Sequence, residues 1–472
     1  MADSDIKLFT APRVIVSGTH AGVGKSIVTL GLTFALRKLG LSVSCGLIGA
    51  NLPQAVLLKR LTNRFVRTLD ERLLSRDQTV ASLYYAGLGT DLILIEGRAG
   101  LYDGYIPATL RGSDAEIAAL TKTPVILVID ARGFGNSVAA LVKGYAETAK
   151  GFQLGCVIAN RLPSEPAECE AMVQEFQDSV AAEDLPQLYG GLPEFDAGEY
   201  KRLPEVTERV NAASVARQFL VDLSKLVERY VNLEELVGIA KHAAKIQLEN
   251  FDTSPMSRRT RIAYSDDPAF NLGFQDNLDL LRFYGADLVP FSPLADRALP
   301  KNIGAVYMTG GCLRDYAAEL TRNESMRQSL RDFVDAGGAL YSEGASTAYL
   351  CDSYRLSGEE RQEFEGVGLL PGRAEPGEHD VQYSESVTVE ESILGRPGLI
   401  VKSISTGEWR FKTQKSVVHA LRSSRGGERA GHEGFSPGAQ VLCTFHFCHF
   451  GSNQKLAKNL VDSAEVMQQV TS

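Results

Sequence analysis

Nine residues near the N-terminus, Gly18-Thr19-His20-Ala21-Gly22-Val23-Gly24-Lys25-Ser26, bring together the groups that bind a phosphate chain. The glycines let backbone N–H groups turn onto phosphate oxygens. Lys25 can reach the β/γ oxygens, and the Ser26 hydroxyl can hold Mg²⁺. A glycine-rich turn with an incidental lysine would contain the same residues, so context must separate the two readings. Here Arg13-Val14-Ile15-Val16 precedes the loop as a strand and an amphipathic helix follows it. Gly22, Val23, Gly24, Lys25, Ser26 and Ile27 are therefore the expected nucleotide-binding residues, with ATP and Mg²⁺ as ligands.

A second group follows the third apolar run: Ile95-Glu96-Gly97-Arg98-Ala99-Gly100-Leu101-Tyr102-Asp103-Gly104. A carboxylate at a strand end beside a phosphate loop is where a second Mg²⁺ ligand belongs, so Glu96 joins Ser26 as a candidate metal ligand. A solvated loop carboxylate is the competing reading. These groups must be positioned by the first half of the chain, which alternates β-rich runs with helical segments. Candidate strands are Val14–Ser17, Ser42–Leu47, Leu92–Ile95, Val125–Ile129 and Leu154–Ala159. That order predicts a doubly wound parallel sheet, whose ligands sit beyond the carboxyl ends of the strands.

The rest of the chain extends the α/β pattern. From about Ser214 to Asn250 it is helical and charged, and Phe251 to Arg261 is polar and irregular. A new alternation starts at Ile262-Ala263-Tyr264 and runs through the helix Asn277–Tyr284 to Ala305–Met308 and Ala339–Ser342. The expected division is residues 1–213, a helical segment and linker over 214–260, and a second α/β domain over 261–472. Ser423–Gly438, rich in Gly, Ser, Arg and Glu, is the expected disordered loop.

With 472 residues, two domains are expected. A net charge of −9 argues against nucleic acid as the main partner. No apolar run approaches bilayer length and the N-terminus lacks a secretory order, so the expectation is a cytoplasmic protein without a membrane partner. Seven cysteines scattered through apolar segments fit reduced thiols. The crowded run Cys443 to His449 reads as a buried strand or a metal site. Trp409 and its neighbouring phenylalanines read as core or as a ligand platform. Arg258, Arg259 and Arg261 read as a solvated linker or an anion-binding cluster.

Taken together, the phosphate loop, one residue longer than the common pattern, the run Glu96 to Gly104, and Asn160-Arg161 after a strand resemble the cobyrinate a,c-diamide synthase family. The likeness continues through Tyr264 to Phe270, Asp276-Asn277-Leu278, Pro290 to Leu294, Gly310-Gly311, Leu369 to Gly372 and His449 to Asn453. It implies a dethiobiotin-synthetase-like P-loop domain followed by a class I glutamine amidotransferase-like domain. The implied reaction is ATP- and Mg²⁺-dependent phosphorylation of tetrapyrrole carboxylates, then displacement of phosphate by ammonia released from glutamine. By position, Lys25 and Asn160 would serve the nucleotide, Ser26 and Glu96 the metal, and Asp103 the tetrapyrrole carboxylate. A homodimer is also implied.

The departures from the family pattern carry as much information. Where the resemblance calls for Glu-Cys-Gly-Gly, the chain reads Glu343-Gly344-Ala345-Ser346, so no thiolate is available to form the glutamyl thioester. Ser346 and Cys351, the latter about two helical turns on, are poorly placed to replace it. Phe447 takes the place of the family's base histidine, and His446, displaced by one residue, would face the other side of its strand. Gly407-Glu408-Trp409-Arg410-Phe411 stands in place of a histidine-containing segment. In the first half, Leu47 and Asn51 replace a lysine and an aspartate that would serve the transferring phosphoryl group and Mg²⁺. The expectation is an amidoligase with glutaminase activity lost, drawing ammonia from solution or a partner. The alternatives are a non-catalytic, nucleotide-dependent tetrapyrrole or anion-binding protein and, behind it, a structural subunit.

Overall fold

The computed structural model describes residues 7–194, 212–248, 254–357, 362–378, 380–413, 417–423 and 432–471. It divides into two compact units, Met1–Phe251 and Asp252–Ser472. The first is built on the strands β1 (Lys7–Phe9), β2 (Arg13–Gly18), β3 (Val43–Ile48), β4 (Arg67–Leu69), β5 (Leu92–Gly100), β6 (Val125–Asp130), β7 (Leu154–Leu162), β8 (Leu188–Pro193) and β9 (Ile246–Leu248). Seven of them form one sheet in the order β4-β3-β5-β2-β6-β7-β8, every pair parallel.

Strand alternation divides the side chains between two apolar layers. Val14, Val16, Leu47, Leu94, Val128 and Ile158 face one layer, closed by α1 (Lys25–Lys38) and α2 (Leu52–Thr62). Ile15, Ile93, Ile95, Leu127 and Val157 face the other. That side carries α3 (Arg76–Ala86), α4 (Asp114–Leu120), α5 (Val138–Thr148) and α6 (Pro166–Ala181). Further helices, α7 (Ala212–Tyr230) and α8 (Leu233–Lys241), join the first layer through Phe219, Leu223, Val227 and Leu236. The helical part of the expected 214–260 segment packs into the first unit through this apolar stripe, and the boundary between the units falls at its polar end. A Cβ on Gly31 of α1 would lie 2.7 Å from Val227 Cγ2.

The five expected strands all form, four of them longer than expected and β3 shifted by one residue. β5 continues through Glu96 to Gly100 where a loop was expected; Gly18 pairs with Gly100 past a bulge in β5. β4 and β8 lie at the sheet edges and were not foreseen, β4 being only three residues long.

The second unit contains β10 (Thr260–Ser265), β11 (Ala286–Phe291), β12 (Ala305–Met308) and β13 (Ala339–Glu343), matching the expected alternation. It continues with β14 (Cys351–Arg355), β15 (Glu363–Glu365), β16 (Leu370–Pro376), β17 (Gln382–Thr388), β18 (Ile400–Ser405) and β19 (Trp409–Lys412). The last strands are β20 (Val418–Ser423), β21 (His432–Gly438), β22 (Val441–Thr444) and β23 (His446–Cys448). A ten-stranded sheet runs β11-β10-β12-β13-β22-β21-β20-β17-β18-β23, and a four-stranded one β15-β14-β16-β19. Of the expected disordered loop, residues 432–438 are strand β21, and 424–431 lie outside the described residues. All seven cysteines are unbonded and six are buried.

Because Gly31 is the contact point between α1 and α7, Gly31→Val should overpack this joint and destabilise the protein by about 1–3 kcal/mol. A lower urea midpoint with an unchanged m-value is the expected result.

Candidate functional site

The loop after β2 turns through Gly22 and Gly24, with φ of 82° and 101°, values that favour glycine. A Cβ on Gly22 would meet nothing within 4 Å, so the loop's mouth is open there. Beyond Gly24 the chain enters α1 directly, with Lys25 as its first residue. Val23 is fully buried and Ile27 packs against the apolar layer, so these two anchor the loop's far end.

Lys25 is 6% exposed. Burial lowers its proton affinity, and the nearby carboxylates of Asp114, Glu96 and Asp103 oppose that shift. Ser26 Oγ donates to Glu96 Oε1 at 2.5 Å, and Gln54 Nε2 donates to Glu96 Oε2 at 2.9 Å. β2 and β5 are adjacent and in register, Val16 opposite Glu96, which is why residues so distant in sequence meet. Burial raises the Glu96 carboxyl, while the Ser26 and Gln54 hydrogen bonds and the Lys25 charge pull it back. A hydroxyl and a carboxylate joined beside an open phosphate loop are an oxygen donor set suited to Mg²⁺. Asp103 is exposed, and its Oδ2 accepts from Gly100 N at 3.0 Å.

Asn160 is buried at the end of β7, where its Nδ2 donates to Val23 O at 2.8 Å. A Cβ on Gly24 would lie 2.0 Å from that nitrogen, so this glycine also makes room for the clamp. Arg161 adds a second tie, Nη2 to Gly22 O at 2.6 Å and Nη1 to Asp130 Oδ2. Burial alone would raise Asp130, but hydrogen bonds from Arg132 and Arg161 outweigh it and bring the group down to about 2.

One buried carboxylate of the site escaped the sequence reading. Asp114, 1% exposed, accepts from Ser17 Oγ at 2.6 Å and from Arg98 N at 2.9 Å. Burial pushes it up to about 6 despite those bonds and the charges of Lys25 and Arg98. The local signal was legible: Ser113 caps α4, with Asp114 and Glu116 in its first turn. Only the sheet brings that helix start under Ser17.

The elbow after β13 keeps its shape without a nucleophile. Gly344 has φ 58° and ψ −127°, and its N–H donates to Thr444 O at 2.9 Å. The Phe447 ring fills the space above it: a Cβ at 344 would lie 2.6 Å from Phe447 Cζ, and one at Gly310 2.2 Å from Cε1. Ser346 Oγ is buried between Met308 O and Glu343 O, and the Cys351 thiol is buried and pushed far up. Neither reaches the elbow as a substitute. Glu343 is fully buried, accepts from Tyr307 Oη, Tyr341 Oη and Cys448 N, and is raised by burial to about 7.

His446 faces the other way, as the one-residue displacement implies. It lies 3.2 Å from Ser403 Oγ and 3.8 Å from Glu433, in an open cleft of about 1000 Å³ that also exposes Trp409, His419 and Arg373. Trp409 packs against the apolar core. Arg259 is paired with Asp462 and Glu465, and Arg258 and Arg261 approach Asp287, so this basic cluster is internally neutralised. Among the described residues no grouping of His, Cys, Asp and Glu forms a ready metal site, and no helix is long and apolar enough to cross a membrane.

Residues 261–454 match the CobB/CobQ-like glutamine amidotransferase domain. Over 472 aligned residues the chain is 33% identical to a cobyrinate a,c-diamide synthase from Syntrophotalea carbinolica, covering 96% of this chain and 98% of that one. The chain belongs to the cobyrinate a,c-diamide synthase family. A Listeria innocua relative of the same name is 30% identical over 93% of this chain and 97% of its own. One from Dehalococcoides mccartyi is 29% identical over 95% and 97%.

Measured against the cobyrinate a,c-diamide synthase pattern, Leu47 is 3% exposed and lies in the apolar layer facing α1. Asn51 caps α2, its side chain accepting from Gln54 N at 3.3 Å. That capping positions the same Gln54 that holds Glu96, so Asn51 acts on the site through a helix start.

Asp114 gives a pH signature. Its folded value near 6 stands above the ordinary 3.8, so the stability it contributes is complete below about pH 4 and is lost as pH rises through 6. The stability difference between wild type and Asp114→Asn should therefore fall by on the order of 3 kcal/mol from pH 4 to pH 7. Urea unfolding at both pH values measures it, and a pH-independent difference would contradict a buried, proton-holding Asp114.

Proposed function

We propose that this protein is an ATP- and Mg²⁺-dependent amidoligase acting on tetrapyrrole carboxylates, and that it takes ammonia from solution or a partner rather than from glutamine. One observation carries the reading. The first unit keeps an open phosphate loop with Lys25, Ser26 and Glu96 assembled, while Phe447 covers a Gly344 elbow that has no nucleophile. The names of the relatives support the reaction class and the substrate.

In this scheme the loop N–H groups and Lys25 hold the ATP phosphates, and Ser26 and Glu96 would hold Mg²⁺, which neutralises charge on the phosphates when bound. A substrate carboxylate oxygen attacks the γ-phosphorus, the bond to the β–γ bridging oxygen breaks, and ADP leaves with the electron pair. Ammonia then attacks the acyl carbon, and phosphate departs carrying one of its protons. Exposed Asp103, beside the loop, is the residue assigned to the substrate side. Asn160 and Arg161 hold the loop backbone in place through the Val23 and Gly22 carbonyls.

The decisive assay supplies ATP, Mg²⁺ and cobyrinate with either ammonium or glutamine. ADP and amidated product should form with ammonium alone, and Lys25→Ala should lower the rate at least ~100-fold. ATP binding without ADP formation would instead favour the nucleotide-dependent binding reading, for which the apolar Leu47 is the supporting observation.

Glutaminase activity is a separate test. Gly344→Cys by itself should release no glutamate from glutamine, because its Cβ would lie 2.6 Å from the Phe447 ring. Gly344→Cys combined with Phe447→His removes the obstruction and supplies a base, and should release measurable glutamate.

A further inference from the structure

Arg98 lies on the stretch of β5 that continues past Glu96, and none of the roles above uses its side chain. Leu47 of β3 pairs with Glu96 of β5, so two residues further on the ends of the two strands bring Gly49 and Arg98 side by side. A Cβ on Gly49 would lie 2.8 Å from Arg98 Cδ and 3.2 Å from Cγ. Gly49 also has φ 88°. A glycine is therefore needed there on two counts, and the space it leaves is filled by the arginine stem.

The guanidinium is tied down on one side only. Nη2 donates to Asp103 O at 3.0 Å and to Gly112 O at 3.4 Å, while Nε is buried with no acceptor among the described residues. Its charge is felt at Lys25, where it opposes protonation, and at Asp114, where it favours the carboxylate. Arg98 is thus a second cation of the Lys25 site, fixed to the backbone of Asp103.

Phosphorylating a carboxylate brings two anions together, and a cation that meets the acceptor as well as one that meets the donor lowers that barrier. A guanidinium suits a carboxylate better than an ammonium does, because its fork can offer two parallel N–H groups. We propose that Arg98 binds the substrate carboxylate and sets it in line with the γ-phosphate held by Lys25. This rests on the amidoligase reading of the same site.

The test uses full-length protein, MgATP, ammonium and cobyrinate as the probe, with cobyrinate binding followed in parallel by its absorbance change. Arg98→Ala should lower kcat/KM for cobyrinate at least ~30-fold and weaken cobyrinate binding, leaving the KM for ATP within about twofold; added guanidinium should restore part of the loss. Arg98→Gln, which keeps a packed stem and an N–H donor without the charge, should show the same selective loss with an unchanged melting temperature. It carries the test should Arg98→Ala fail to fold. Unchanged cobyrinate parameters in either variant, or equal losses for ATP and cobyrinate, would overturn the assignment and leave Arg98 a brace for the Asp103 loop. A wild-type protein that neither binds nor turns over cobyrinate would overturn the amidoligase reading and this inference with it.

Discussion

A lysine ammonium 6% exposed at the first residue of a helix is stable only with carboxylates close by, and meeting that demand shapes the whole first unit. Glu96 comes from the neighbouring strand β5, Asp114 from the start of α4, and Asp103 from the loop that β5 feeds. Each carboxylate is fixed by its own donors: Ser26 and Gln54 for Glu96, Ser17 and the Arg98 amide for Asp114, the Gly100 amide for Asp103. The parallel order β3-β5-β2-β6-β7 is what allows it, since it delivers the carboxyl ends of five strands to one edge. A helix N-terminus with a buried cation and two raised carboxyls stores a charge arrangement that an anionic ligand and a divalent cation would complete.

In the second unit the turn after β13 is held by its own packing and hydrogen bonds. Gly344 retains the positive φ of the elbow, and the buried Glu343 before it is held by two tyrosines and the Cys448 amide. That network anchors the backbone independently of any reaction. The space over the turn is filled by Phe447, whose ring lies against both Gly344 and Gly310. Filling it recovers apolar contact that a cavity would forfeit, on the order of 20–30 cal/mol per Å² of surface. His446 lies in a different cleft, beside Glu433 and Ser403.

Two departures in the first unit have different structural meanings. Leu47 is simply part of the apolar layer that α1 closes, contributing packing and no charge. Asn51 has become a helix cap, and its influence on Glu96 passes through Gln54. The space at the end of β3 is given to Gly49, over which the Arg98 stem crosses.

Sequence alone was sufficient for the features that depend on local backbone geometry and periodicity. The Gly22 and Gly24 turn, the helix beginning at Lys25, the five inner strands and the missing thiol at position 344 all follow from residue type and spacing over short stretches. Asp114, Arg98, Gln54 and the closure of the elbow by Phe447 do not, because each acts through a partner on another strand or helix: Ser17, Gly49, Glu96 and Gly344. Likewise the helical character of the segment after Ser214 is legible, whereas its place in the first unit depends on the burial of Phe219, Leu223 and Val227 in the layer that α1 closes. Periodicity determines which face of an element is apolar, whereas the face it covers, and the charges it brings within reach, are decided by the order in which parallel strands pair.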